Sequence, residues 1–346
     1  MFWDGIPRRG AGMGGGGGGT VMTSGQPPGP APGPVPGEKE ARSRVKIGLA
    51  LGGGAARGWS HIGVLRVLHE AGIVPDVIAG CSIGAVVGGC YAAGKLDALE
   101  AFALSLTKRR VMGLLDFHIS GSGLIGGGRL QKLLEEDLTD RRIETLPMRF
   151  CTIATELVTG HEIWLTKGPL VKAMRASYAL PGIFDPVLFR GRWLMDGALV
   201  NPIPITAARA LGADLVVCVN LNSEVRARGT VQPFDEESSD ELEIEVAMEE
   251  RRGWGLFASP RIERRKQPNA PGIATVMIDA FNITQDRIAR SRLAGDPPDV
   301  MVAPKLAKMG LFEFHRAAEC IELGRQAAER ALPDLQELIR DSEATV

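Results

Sequence analysis

An excess of either charge is missing from this chain: 40 Lys and Arg against 41 Asp and Glu leave a net charge of −1 over 346 residues. That balance removes any global electrostatic case for nucleic acid as a partner, and no local basic patch restores it. Cysteine is scarce and odd in number. Cys81, Cys90, Cys151, Cys218 and Cys320 lie in apolar segments without C-x-x-C spacing, so neither a zinc site nor a redox dithiol is indicated. No metal or other cofactor is called for, and a reduced, cytoplasmic protein is the simplest reading. The N-terminus lacks the charged, apolar and small-residue order of a secretory signal, because Gly14 to Gly19 and the prolines after Gln26 occupy that region. A membrane-spanning run is lacking too. Val77 to Gly94 holds eighteen residues without a charge, but it is rich in Gly and Ala, has no aromatic belt at both ends, and contains a strand-to-helix break.

What is present begins after the tail. Residues 1–44 are dominated by Gly and Pro and have too few large apolar residues to offset the ordering entropy of a fold, so a disordered tail is expected there. With 45% hydrophobic composition the remainder can bury a sizeable core. Val45 to Leu51 is a short apolar run that meets the glycine cluster Gly52 to Gly58, and a helical pattern follows from Ser60 to Ala71. Backbone N–H groups at such a helix start attract either a bound phosphate or a transient oxyanion. The dinucleotide reading meets two departures. Arg57 stands where the last fingerprint glycine belongs, and the next strand lacks the ribose-binding acid.

That next strand, Asp76 to Ala79, runs into Gly80-Cys81-Ser82-Ile83-Gly84 and a small-residue helix pattern over Ala85 to Ala93. A serine held between glycines at a sharp strand-to-helix turn is a nucleophile-elbow arrangement, since the turn crowds the backbone while exposing the hydroxyl. Ser82 is the candidate nucleophile. Asp97 is expected to cap the following helix. Ser120 to Gly128 reads as a connector before an amphipathic Leu130 to Leu138. Phe150 to Glu156 and His161 to Thr166 read as paired strands, followed by a helix from Pro169 to Ser177. Ala176 to Pro186 leaves that helix with large apolar side chains, which suit either an acyl pocket or plain core. Asp196-Gly197-Ala198 closes another apolar strand, and read locally it is an Asp-Gly turn.

Taken in order, Gly52 to Gly58, Gly80 to Gly84, Ala176 to Pro186 and Asp196-Gly197-Ala198 resemble the bacterial branch of the patatin-like phospholipase family over Val45 to Leu221, with a weaker continuation to Leu332. The resemblance implies an α/β fold of three layers and a serine lipid acyl hydrolase acting on phospholipid or another acyl ester. It also implies a Ser-Asp dyad, with Ser82 as nucleophile, Asp196 as its base, and Gly53, Gly54 and Ala55 lining an oxyanion hole. Arg57, Gly80, Gly84 and Gly197 complete the motifs. A non-catalytic lipid-binding regulator on the same fold is the alternative.

The histidines fit a dyad rather than a triad. His61, His69, His118, His161 and His315 have no distinguishing context, and for His61 and His69 a capping or surface role is expected. An Asp base needs its ordinary pKa near 4 raised by burial to accept a serine proton well.

The last strands and helices, Asp214 to Asn220, Ala274 to Ala294, Asp299 to Ala303 and Glu313 to Leu332, extend the alternation and predict helices on both faces of a mainly parallel sheet. The organisation expected is therefore a tail over 1–44, a catalytic core over 45–222, a charged insertion over 223–271, and a C-terminal part over 272–346 that completes the same domain. Within the insertion, Arg251, Arg252, Trp254, Phe257, Arg261, Arg264, Arg265 and Lys266 interleave basic and aromatic residues. Residues 251–266 suit peripheral contact with the anionic inner face of the membrane, against a plain solvated segment as the competing reading.

Overall fold

In the computed structural model, residues 44–114, 132, 134–136, 138–222 and 273–345 are described. The expected tail up to residue 43, the Ser120 to Gly128 connector and the charged insertion lie outside the described residues, whereas Arg44, placed at the end of that tail, is described and pairs with Asp76.

Three apolar runs become the centre of the sheet. β1 (Ile47–Leu51), β2 (Val77–Cys81) and β7 (Leu215–Val219) are buried at every residue. Strands covered on both faces need no polar alternation, and this is why their sequences read as continuous apolar runs. β3 (Arg149–Glu156) and β4 (Glu162–Leu165) form the expected hairpin, and β5 (Val187–Phe189) and β6 (Arg192–Asp196) form a second. With β8 (Val300–Val302) the order is β5-β6-β3-β2-β1-β7-β8, and β4 pairs with β3 off that path. The pairs β3-β2, β2-β1, β1-β7 and β7-β8 are parallel. Thus the sheet is mainly parallel, with its antiparallel part confined to the β3 to β6 side.

Alternate residues feed two cores. Leu49, Leu51 and Ile78 point to one face, where α1 (Ser60–Glu70), α2 (Ile83–Ala92), α3 (Leu96–Leu104), α5 (Leu170–Tyr178) and α8 (Ala317–Thr345) pack. A short α4 (Lys108–Leu114) follows α3. Ala50, Val77, Ala79 and Cys81 point to the other face, covered by α6 (Ile205–Ala210) and α7 (Ile273–Gly295). This is the three-layer α/β arrangement the alternation of elements predicts. The described residues belong to one compact unit that starts at Ser43. Among them, no helix is long and apolar enough to cross a membrane.

One local expectation is corrected. Lys95, not Asp97, is the N-cap of α3. Asp97 sits inside the first turn and pairs with Arg66 of α1, so its carboxylate meets the helix dipole and a guanidinium from the neighbouring helix instead of capping N–H groups.

Candidate active site

The turn from β2 into α2 forces Ser82 into φ 54° and ψ −121°, a region that L residues occupy at a cost of ~1–3 kcal/mol. Small neighbours make the turn sterically feasible. A Cβ on Gly80 would stand 2.6 Å from the Gly84 carbonyl, and one on Gly84 would overlap the carbonyl of Leu51. Ser82 is buried, with 9% of its surface exposed.

Asp196 reaches the same point through strand register. Cys81 pairs with Ile153 of β3, and Asp196 pairs with the next residue, Ala154. β4 occupies the opposite edge of β3, because Thr152 pairs with both Gly80 and Leu165 while Ala154 pairs with both Asp196 and Ile163. Therefore β2 and β6 meet end to end along one edge of β3, and Ser82 and Asp196 are the residues that face each other where they meet. The Ser82 Oγ–H donates to Asp196 Oδ2 at 2.8 Å. Immediately after it, Gly197 passes so close to Ile153 that any side chain there would overlap the Ile153 carbonyl.

The carboxylate is held on every side. Its Oδ1 accepts from the Ala198 N–H at 2.8 Å, so the side chain also caps the short 3₁₀ turn Gly197–Leu199. The Asp-Gly turn and the contact with serine are therefore one structure, not rival readings. The Asp196 backbone donates to the Ala179 carbonyl at 2.9 Å and accepts from the Thr155 hydroxyl at 2.8 Å. Burial pushes the Asp196 carboxyl up to about 7, against the lowering pull of the Ala198 N–H and the Ser82 hydroxyl. A carboxylate tuned near neutrality is suited to take a proton from the serine it touches.

The glycine loop lies against this pair. A Cβ on Gly53 would be 3.5 Å from Ser82 Cβ and 3.3 Å from Ala198 Cβ. Its three candidate donors differ, however. The Gly53 N–H already donates to the Pro202 carbonyl at 3.0 Å, which corrects its placement among the free donors. The N–H groups of Gly54 and Ala55 have no partner among the described residues. Ala55 takes φ 48° at the start of the 3₁₀ turn Ala55–Trp59 that leads into α1. Arg57 is buried and ties the loop down, its Nε donating to the Met309 carbonyl at 2.9 Å and its guanidinium to Asn222 Oδ1 at 3.2 Å.

His61 departs from expectation. It is fully buried rather than capping or exposed, and its Nε2 lies 2.8 Å from the Gly52 carbonyl. A carbonyl only accepts, so Nε2 carries the proton. Nδ1 has no partner among the described residues, so the ring touches neither Ser82 nor Asp196 through a hydrogen bond. Burial pulls its pKa down to about 4, which leaves the imidazole neutral. His161 is exposed, 3.9 Å from Glu156, and His118 lies outside the described residues. An open cavity of about 430 Å³ lies at the opposite end of the sheet, among Lys46, Asp76, Met148, Arg149 and Leu211, and includes none of these groups.

Sequence reasoning missed Thr155, Ala179 and Ser177. The Ser177 hydroxyl accepts from the Ser82 N–H at 2.9 Å and donates to the Ile153 carbonyl at 2.5 Å. The only signal was the position of Ser177 in the Ala176 to Pro186 motif, which reads as pocket or core.

The patatin-like phospholipase family model matches residues 49–209. An uncharacterised NTE family protein of Mycobacterium bovis is 34% identical over 327 residues, spanning 83% of this chain and 91% of that protein. A lysophospholipase of Emericella nidulans is 26% identical over 306 residues, 84% of this chain and 18% of that protein. The mouse patatin-like phospholipase domain-containing protein 6 is 28% identical over 261 residues, 71% of this chain and 18% of that protein. This chain belongs to the patatin-like phospholipase family.

Proposed function

We propose that the protein is a serine lipid acyl hydrolase of lipid metabolism, in which Ser82 and Asp196 form a catalytic dyad acting on a phospholipid or other acyl ester. The observation that carries this reading is the 2.8 Å hydrogen bond from a strained, buried serine to a carboxylate whose pKa burial raises to about 7. Ser82 Oγ attacks the ester carbonyl carbon while its proton passes to Asp196 Oδ2. The carbonyl oxygen becomes an oxyanion, and the N–H groups of Gly54 and Ala55 are the donors assigned to it. As the C–O bond breaks, Asp196 returns the proton to the departing alkoxide. Water then attacks the acyl-serine, giving its proton to Asp196, and the fatty acid leaves as the Ser82 hydroxyl is restored.

A dyad differs from a triad in having no intervening imidazole, and the Nε2 proton of His61 is already given to Gly52. The organisation into catalytic core, insertion and C-terminal completion, and peripheral membrane contact through residues 251–266, belong to the same proposal. Removing 251–266 should weaken sedimentation with anionic vesicles and leave hydrolysis of a soluble ester intact; equal sedimentation removes the membrane role from that stretch. The main experiment is labelling by a fluorophosphonate followed by mass spectrometry. The adduct is expected on Ser82, and active protein that carries none there would sink the assignment.

A further inference from the structure

The last turn of α5 touches both partners of the dyad. Ser177 is fully buried, and its hydroxyl accepts the Ser82 N–H at 2.9 Å while donating to the Ile153 carbonyl at 2.5 Å. Two residues on, the Ala179 carbonyl accepts the Asp196 N–H at 2.9 Å. We infer that Ser177 to Ala179 is a clip that sets the separation of Ser82 and Asp196, with Ser177 as its positioning residue; this rests on reading that pair as nucleophile and base.

The need for a clip follows from the register. β2 stops pairing with β3 at Cys81 and Ile153, and β6 begins at Asp196 and Ala154. Between them the Ser82 N–H has neither a strand partner nor a helix partner, since the first bonds of α2 run to the Ser82 carbonyl from Ala85 and Val86. An unbonded N–H at that depth would lose water without gaining a partner, which is unfavourable. No single main-chain N–H or C=O can both accept from the Ser82 N–H and donate to the Ile153 carbonyl, whereas one hydroxyl, with a lone pair for the N–H and a proton for the carbonyl, joins them. The directions are unambiguous because an amide N–H only donates and a carbonyl only accepts.

The same short segment then turns to hold the other strand end. Leu170, Val171, Ala173, Met174 and Ala176 bury α5 in the core, so Ser177 and Ala179 are carried on a rigid element. Tyr178 stands between the two anchors and packs edge-on against Phe184, with ring centroids 5.5 Å apart. A displacement of the α5 terminus therefore moves the nucleophile's backbone and the base's backbone together, and loss of the hydroxyl frees the first from the second.

The test uses the full chain with Ser177→Ala, assayed on p-nitrophenyl butyrate, beside Ser82→Ala and Asp196→Asn. Misplacement of reacting groups by about 1 Å costs roughly 10²-fold. The expected result is a kcat 10- to 100-fold below wild type. KM should stay within about twofold of wild type and the pH limb near 7 should be retained. Fluorophosphonate labelling of Ser82 should slow in parallel, and Ser177→Thr, which keeps the hydroxyl, should recover part of the loss. A Ser177→Ala kcat within twofold of wild type, with Ser82→Ala and Asp196→Asn inactive, overturns the clip and leaves the dyad standing. A raised KM with unchanged kcat also overturns it, in favour of acyl binding by this segment. Activity in Ser82→Ala would sink the dyad and the clip with it. Should Ser177→Ala fail to fold, Ser177→Cys serves, since its thiol is a weak partner on both sides; wild-type kcat in that variant overturns the proposal.

Discussion

Gly84, the second residue of α2, lies so close to Leu51, the last residue of β1, that any side chain there would overlap the Leu51 carbonyl. The elbow and the glycine loop are thereby locked together, because Gly52 and the loop begin at that same strand end. Backbone atoms on both sides leave no flexible group to yield. Gly84→Ala should therefore lower stability by ~3 kcal/mol or more, read as a shift in the urea midpoint. Gly295→Ala, at a site with nothing within 4 Å, is the control and should change little. An unshifted midpoint in Gly84→Ala would refute the close approach.

The pH dependence follows from Asp196, whose carboxyl burial lifts to about 7. As a base it works ionised, so kcat/KM on a soluble ester should fall about tenfold per unit below pH 7 and level off above it. Stability runs the opposite way. The folded state holds this proton more tightly than the unfolded chain does, so the group's contribution is fully present below pH ~4 and is lost as pH rises through about 7. Asp196→Asn removes the ionisation and keeps the shape. It should be inactive yet gain melting temperature relative to wild type at pH 8, with a smaller gain at pH 5. Equal differences at both pH values would argue against an elevated pKa.

Strain at Ser82 gives a second separation of stability from activity. At φ 54° a glycine is at ease where alanine and serine are not. Ser82→Gly and Ser82→Ala should both abolish turnover, while Ser82→Gly melts higher, by an amount corresponding to ~1 kcal/mol, provided its hydroxyl-free turn keeps the Ser177 contact. Calorimetry at one pH decides this.

His61 is expected to support the loop without exchanging a proton in turnover. His61→Gln can still donate to the Gly52 carbonyl, so kcat should fall by no more than about tenfold, and the limb near pH 7 should stay in place. Were His61 the base, the limb would vanish and the loss would match that of Ser82→Ala.

Local chemistry made much of the fold legible. The apolar runs of β1, β2 and β7, the glycine clusters beside them and the periodic stretches between them read correctly as strand, turn and helix, because burial on both faces and tight turns leave their mark on adjacent residues. Ser82 stood out for the same reason: its setting is complete within five residues. Asp97 misled because an acid near a helix start satisfies the capping pattern whether it lies at the cap or inside the first turn; α3 starts at Leu96, which leaves Asp97 in the first turn, where it pairs with Arg66 of another helix.

What tertiary structure alone decided are the long-range pairings. Ser82 and Asp196 are 114 residues apart, and they meet because β2 and β6 share one edge of β3, a matter of register that neither motif encodes. His61 looks surface-like in a helical pattern, but its ring is fully buried with Nε2 on the Gly52 carbonyl at the start of the glycine loop. The Gly53 N–H is indistinguishable in sequence from those of its neighbours until the Pro202 carbonyl arrives to take it. Hydrogen-bond partners distant along the chain leave no local pattern, so the sequence determined which groups were chemically able to act, and packing determined which of them remained free to do so.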